Sequence, residues 1–199
     1  PISGSSAGIS LDSGSSIVGS IINSGEIAGN NAAIDIRGGS SIGGSITNEV
    51  GGTIIGRTAS SSGTGSAIYV SGSSIGGSIT NSGTITGGIY LNNASTVTGS
   101  ITNNAGASIS RSSAAITLST STVGSITNSG TISSNGYGIW LAGVSAGVGT
   151  PPSSVTGSIT NSGTISGGSN GIYLSYSDAG SIVNSGSITG RDGAVLISR

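Results

Sequence analysis

The sequence predicts an all-β chain folded as a parallel β-helix, a solenoid of about seven coils of 22–33 residues with three short strands each. Three observations carry this reading. The nonapeptide GSITNSGTI at 77–85 recurs unchanged at 124–132 and 157–165, and looser copies begin at Gly19, Gly44, Gly99 and Gly180. The copies start 25, 33, 22, 25, 33 and 23 residues apart, within the period of about 20–50 residues that marks solenoids and propellers. Apolar residues follow a period of two rather than 3.6, and glycine and β-branched residues are too frequent for helix.

Each unit contains three segments that read as strands. The first alternates with period two, as in Ile42-x-Gly44-x-Ile46-x-Asn48. The second is Gly-Thr-Ile, as in Gly83-Thr84-Ile85, and the third is Ile-Tyr-Leu or a variant: Ile34-Asp35-Ile36, Ile68-Tyr69-Val70, Ile89-Tyr90-Leu91, Ile116-Thr117-Leu118, Ile139-Trp140-Leu141 and Ile172-Tyr173-Leu174. Asn-Ser-Gly and Gly-rich linkers separate them, residue types that tolerate positive φ in tight turns. Stacking one coil on the next at about 4.8 Å gives three parallel sheets and a rod of roughly 35 Å.

Parity then assigns the interior. One inward column is Ile21, Ile46, Ile79, Ile101, Ile126, Ile159, Ile182, and another is Ile27, Ile54, Ile85, Ile109, Ile132, Ile165, Ile188. The third strand adds two more, for about four buried aliphatics per coil, each contributing ~1.5–3 kcal/mol. An invariant corner column, Asn23, Asn48, Asn81, Asn103, Asn128, Asn161 and Asn184, is expected to be structural. Asparagine tolerates the left-handed conformation, and its amide can bond the asparagine one coil away.

Four departures from the repeat stand out. In the second coil the extra residues precede strand three, between Ile55 and Ala67; in the fifth they follow it, from Ala142 to Thr156. Smaller additions at 49–52 and 104–107 fall at the asparagine corner. The ends match in phase, Ile2 to Ile9 at the start and Ile188 to Val195 at the close, without an amphipathic helix or charged cap. The expectation is one domain, 1–199, an uncapped segment of a longer solenoid or filament.

Composition narrows the function classes. There are 39 glycines, no cysteine, histidine, lysine, methionine or phenylalanine, and a net charge of −1. The lack of cysteine removes disulfides and thiolate metal sites. A nearly neutral surface without a basic patch gives no reason to expect nucleic acid as a partner. No apolar run approaches the ~20 residues of a membrane-spanning helix. No cofactor or metal is expected.

The units GSITNSGTI and GIYL resemble the passenger repeats of bacterial autotransporters, the type V secreted proteins, and more loosely the filamentous haemagglutinin-like adhesins. The resemblance covers the chain from Ile2 to Ile197. It implies that the β-helix is right-handed. It also implies export across the outer membrane, display at the cell surface or release, and a role in adhesion. The signal peptide and C-terminal translocating barrel of that family are absent from this sequence.

The outward position of strand three is the leading candidate site: Ser10, Asp35, Tyr69, Tyr90, Thr117, Trp140, Tyr173, Leu196. Parity turns this column to solvent, and Tyr69, Tyr90, Trp140 and Tyr173 form a stripe that could stack on sugar rings or anchor a protein. The competing reading is that the rings only cover the sheet, since aromatics suit strands. An outward threonine column, Thr47, Thr80, Thr102, Thr127 and Thr160, raises ice binding, though as a single column it lacks a paired hydroxyl face. Carboxylates at Asp12, Glu26, Asp35, Glu49, Asp178 and Asp192 are scattered, and carbohydrate-cleaving chemistry needs them clustered; Asp35 lies near Arg37, which suggests an ion pair. The sequon Asn93-Ala94-Ser95 and the run Arg191-Asp192-Gly193 carry no weight in so repetitive a chain.

The expected protein is therefore a non-enzymatic extracellular bacterial surface segment acting in adhesion or cell–cell and biofilm interaction. Its partner would be a glycan or protein on a host or neighbouring cell, met by the stripe or by the insertions at 55–67 and 142–156. The alternative is a structural protomer of an extracellular filament, self-associating laterally or head to tail.

Overall fold

The computed structural model describes residues 1–57, 65–143 and 152–199, and every regular element among them is a β-strand. They form three parallel sheets, each built from one strand position of every coil. The chain is a parallel β-helix.

The second strand position gives an eight-stranded sheet, from Ile2–Gly4 and Glu26–Gly29 to Thr164–Gly167 and Ser187–Gly190. The third gives another eight-stranded sheet, from Ala7–Leu11 and Ala32–Arg37 to Asn170–Ser175 and Gly193–Ser198. The first position forms the remaining sheet. There each of the early coils contributes two short pieces, such as Ser41–Ile42 and Ile46–Asn48, and the later coils one longer strand, such as Thr96–Asn103 or Ser153–Asn161.

Register follows the repeat. Ile79 pairs Ile46 and Ile101, Ile85 pairs Ile54 and Ile109, and Ile89 pairs Ile68 and Ile116. The predicted columns are buried through the middle coils, with Ile54, Ile85, Ile109 and Ile132 all at 0% exposure. Ile182 and Ile188 are partly buried, and Val195 and Ile197 in the last strand are exposed. The core is wider than the expected four residues per coil. A fifth aliphatic column, Ile17, Ile42, Ile75, Val97, Val123, Val155, opens the first sheet and is paired throughout. Two residues before the last five of these, and before Ala179 in the following coil, sits a buried serine: Ser40, Ser73, Ser95, Ser121, Ser153 and Ser177. Five of these hydroxyls, all but that of Ser40, satisfy carbonyls at the corner: Ser153 Oγ donates to Ala142 O at 2.7 Å and Leu118 O at 3.0 Å, and Ser177 Oγ to Leu141 O at 3.0 Å.

The asparagine column forms a continuous ladder. Each Nδ2 donates to the Oδ1 of the next coil, at 2.8 Å for Asn23–Asn48, Asn48–Asn81, Asn103–Asn128, Asn128–Asn161 and Asn161–Asn184 and 2.9 Å for Asn81–Asn103. The same nitrogens also serve corner carbonyls; Asn81 Nδ2 donates to Gly83 O at 3.2 Å and Ser108 O at 2.9 Å. The side chains of Asn48, Asn81 and Asn128 are fully buried. One expected reason for asparagine is corrected. None of the ladder residues has a positive φ; among the described residues the non-glycine ones that do are Ser13, Asn93, Ala94, Thr120 and Tyr176. Asparagine stands at this corner because its amide satisfies buried backbone groups where the chain turns inside the rod.

The glycines of Asn-Ser-Gly need a similar correction. Gly83, Gly130 and Gly163 have no positive φ. A Cβ on Gly130 would instead overlap the carbonyl oxygens of Asn104 and Ala107 one coil below, so close stacking of backbone on backbone excludes any side chain. At this corner, positive φ among the described residues occurs at Gly51 and Gly106, in the two small additions. Both additions close the same turn, Gly52 N–H to Glu49 O at 2.9 Å and Ala107 N–H to Asn104 O at 3.0 Å. The two long insertions fall largely on 58–64 and 144–151, outside the described residues.

Candidate functional site

The third sheet assembles the expected stripe. Asp35, Tyr69, Tyr90, Thr117, Trp140, Tyr173 and Leu196 pair in register down consecutive coils. Tyr69, Tyr90, Trp140 and Tyr173 are half-exposed, so each ring shows part of one surface to solvent. Parity overstates the exposure of two members: Asp35 is 6% and Thr117 5% exposed. Thr117 is a short side chain between the larger Tyr90 and Trp140, and Asp35 lies between Ser10 and Tyr69 with Arg37 bonded to it.

The rings group in two sets. Tyr69 and Tyr90 are 5.7 Å apart between centroids, tilted by 57°. The other set contains Tyr137, which period-two alternation would turn inward. Its ring lies 5.3 Å from Trp140 and 5.1 Å from Tyr173. The alternation breaks just after it: Tyr137 pairs Ala114 and Asn170, while the next residues in register are Ile139 with Ile116 and Ile172. Gly138 takes an inward place beside Ile139, since a Cβ there would lie 2.6 Å from Ile165 Cγ2. Two consecutive inward residues shift the phase, and Tyr137 emerges on the aromatic face. The signal in the sequence was the small residue, Ala or Gly, before the isoleucine of strand three in each coil.

Two arginines complete the face. Arg37 Nε donates to Asp35 Oδ1 at 2.5 Å, and its guanidinium carbon stands 4.8 Å from the Tyr69 ring centroid. The hydrogen bond to Asp35 raises the Arg37 pKa, with burial opposing it. Arg111, 8% exposed, ends the second-sheet strand Ser108–Arg111 and reaches around the corner to within 5.8 Å of the Tyr90 centroid. Gly88 makes room, since a Cβ there would press on Arg111 Cβ and Cδ at 3.1 Å. Burial lowers the Arg111 pKa, with Tyr90 opposing the shift. Burial, then the neighbouring Tyr69, raises that of the Tyr90 phenol, whereas hydrogen bonds from Ser198 and then Ser175 lower that of Tyr173.

Two concavities meet at Arg111. A notch of about 80 Å³ lies in the stripe, lined by Tyr90, Arg111, Ser113, Ala114, Thr117 and Trp140. A larger cleft of about 460 Å³ runs along the neighbouring corner, with Arg57 and Arg111 among its walls and the rest small or polar residues such as Ser110, Ser133 and Asn135.

On the first sheet, Thr47, Thr80, Thr102, Thr127 and Thr160 align as expected. A serine column runs beside them, but Ser20, Ser45 and Ser78 accept backbone N–H groups from the next coil at 2.9–3.0 Å. Those hydroxyls knit the wall. The carboxylates remain dispersed: Glu26, Asp35, Asp178 and Asp192 each sit beside an arginine, Arg57, Arg37, Arg199 and Arg191 respectively. Among the described residues no three of His, Cys, Asp or Glu gather where they could hold a metal ion. The geometry offers contact chemistry: partly desolvated aromatic faces flanked by cationic groups.

No protein-family model, curated protein or solved structure matches the chain.

Proposed function

We propose that the chain is a non-enzymatic segment of an extracellular bacterial surface protein that acts in adhesion, with the third sheet as its contact face. The observation that supports this reading is the concentration of aromatic rings on one sheet of an otherwise aliphatic and hydroxyl-rich rod. Tyr69, Tyr90, Tyr137, Trp140 and Tyr173 all lie there, while the interior is filled by Ile, Val, Leu and Ala. Core packing therefore does not require the rings. Outward aromatics with one face bare can stack on a saccharide or fill a pocket of a partner protein. The resemblance of the repeats to autotransporter passengers supports display outside the cell and a partner on a host or neighbouring cell.

The test is a binding comparison between the wild type and the double variant Tyr69→Ala, Trp140→Ala on bacterial and host cells and on a glycan panel. A loss of at least tenfold in the double variant, with an unchanged β circular dichroism signal, supports the reading. Unchanged binding would overturn it. Electron microscopy of the purified segment separates the competing structural role: discrete rods accord with an adhesin, and long fibres with a filament protomer.

A further inference from the structure

We propose that the Asn135–Gly136 step is a site of spontaneous covalent modification, where the chain converts its own asparagine to aspartate and isoaspartate through a cyclic imide. This stands independently of the adhesin reading.

The sequence contains two Asn-Gly steps, at 135–136 and 170–171. Asparagine is thermolabile, and its loss begins when the backbone nitrogen of the next residue attacks the side-chain carbonyl carbon. Glycine, with no Cβ and a freely rotating backbone, hinders that attack least. The fold places the two steps in opposite surroundings. Asn135 and Gly136 form the whole corner between the strands Thr131–Ser134 and Tyr137–Ala142. Asn135 is exposed and Gly136 half-buried. Among the described residues neither the Asn135 side chain nor the Gly136 N–H makes a hydrogen bond.

That free N–H has a specific cause. In other coils the residue at this place donates to its counterpart in the preceding coil: Asn31 N–H to Ser6 O, Ser169 N–H to Gly136 O and Asp192 N–H to Ser169 O, each at 2.8 Å. Here Tyr137 N–H takes the corresponding acceptor, Ser113 O, at 2.9 Å, and the Gly136 nitrogen is left over. Asn170 is held differently. It lies in the strand Asn170–Ser175, 3% exposed, with its Nδ2 donating to Gly193 O at 3.1 Å, and Gly171 is buried beside it. Ring closure there would pull the strand from its neighbours in register, Tyr137 and Gly193.

The step balances with water alone. The Gly136 nitrogen bonds to Asn135 Cγ, the Cγ–Nδ2 bond breaks, and Nδ2 leaves as ammonia carrying the amide proton. Nucleophile and carbonyl are neighbours in one chain, so the attack is intramolecular. Water then opens the succinimide: cleavage at Cγ gives aspartate, and cleavage at the main-chain carbonyl gives isoaspartate. Asn135 stands in the wall of the corner cleft with Arg57 and Arg111, a wall without Asp or Glu among its described residues, so either product places a carboxylate there. Isoaspartate also adds one carbon to the main chain just before Tyr137, whose ring lies against Trp140 and Tyr173. The corner has little room for it, since a Cβ on Gly136 would already overlap Ser113 O. The aged chain therefore has a more acidic cleft and a displaced Tyr137.

Incubation of the 199-residue chain at pH 8, followed by peptide mapping and mass spectrometry, tests the proposal. In the folded chain the peptide holding Asn135 should convert at least tenfold faster than the one holding Asn170, giving both products. In urea the two should convert at similar rates, because the fold sets the difference. Asn135→Gln, an exposed change whose longer side chain disfavours the imide ring, should abolish the fast conversion and leave Asn170 as it was. Equal rates at the two steps in the folded chain, or no conversion at Asn135 while the unfolded chain reacts, would each overturn the assignment. Trp140, the single tryptophan, should change its emission in step with isoaspartate. Constant emission in the aged chain would overturn the displacement of Tyr137.

Discussion

Replacing Asn103 by aspartate changes one nitrogen to oxygen inside the rod, and the geometry dictates a large, pH-dependent cost. Asn103 is 1% exposed. Its Nδ2 donates to Asn128 Oδ1 at 2.8 Å, Thr131 O at 3.1 Å and Ala107 O at 3.3 Å, while its Oδ1 accepts from Asn81 Nδ2 at 2.9 Å. A carboxylate keeps the bond from Asn81 but turns a second negative oxygen toward three acceptors. Breaking such a buried arrangement costs about 3–5 kcal/mol. At ~1.4 kcal/mol per pKa unit, a cost of about 4 kcal/mol raises the folded-state pKa of the aspartate from ~3.9 to roughly 7. A raised carboxylate pKa means that the folded variant holds its proton more tightly than the unfolded chain. The penalty is therefore complete above roughly pH 7 and fades as the pH falls toward ~4, where the neutral acid again offers one donor. Urea denaturation followed by circular dichroism at pH 4 and pH 8 reads this directly. Thr98→Asp, exposed on the same strand, is the control. A deficit for Asn103→Asp that equals the control at pH 8, or that does not shrink by pH 4, would refute the view that the ladder nitrogen is an obligatory buried donor.

Two further outcomes follow from other parts of the wall. Gly130→Ala, which drives a Cβ into the carbonyls of Asn104 and Ala107, should cost about 3 kcal/mol or more, whereas Gly106→Asn, at φ +79° with nothing within 4 Å, should cost less than about 1 kcal/mol because asparagine accepts that conformation; urea midpoints compare them. In a phenolate absorbance titration Tyr173 should ionise before Tyr90, in keeping with their opposite shifts. Because the folded state holds the Tyr90 proton more tightly, stability should fall as the pH climbs past the ordinary tyrosine range near ~10, and Tyr90→Phe should remove that part of the alkaline loss.

The solenoid was legible in the sequence because its interior repeats in the same letters. Ile46, Ile79 and Ile101 have one spacing rule and one environment, and period two carries a residue to the correct side of a sheet. The rule failed where the backbone departs from strict alternation. Tyr137 was left out of the stripe because strict alternation does not carry it to that face; Gly138 and Ile139 both face inward, and the small residue before the isoleucine is the mark of that slip. Asp35 and Thr117 were read as exposed because parity gives direction and not the height of the neighbours. The role of Gly130 was legible as a requirement for glycine, but stacked carbonyls and positive φ leave the same letter in the sequence. The buried serines, Ser95 and Ser153 among them, were hidden by the abundance of surface serine. The notch needed three dimensions: Arg111 belongs to another strand of the repeat, and only the turn past Gly88 brings it to Tyr90.

The asparagine ladder has a consequence for how this kind of wall can change. Its rungs connect residues 22, 23, 25 or 33 positions apart, and the donor–acceptor distance stays at 2.8–2.9 Å whichever loop intervenes. Each rung acts as a checkpoint that restores the frame before the next coil begins, so that irregularity introduced at one corner is not inherited by its successor. Loops can then be lengthened, shortened or exchanged independently, each a separate experiment mounted on an unchanging axle. A surface built this way can diversify its contacts quickly while the machinery that folds it remains the same.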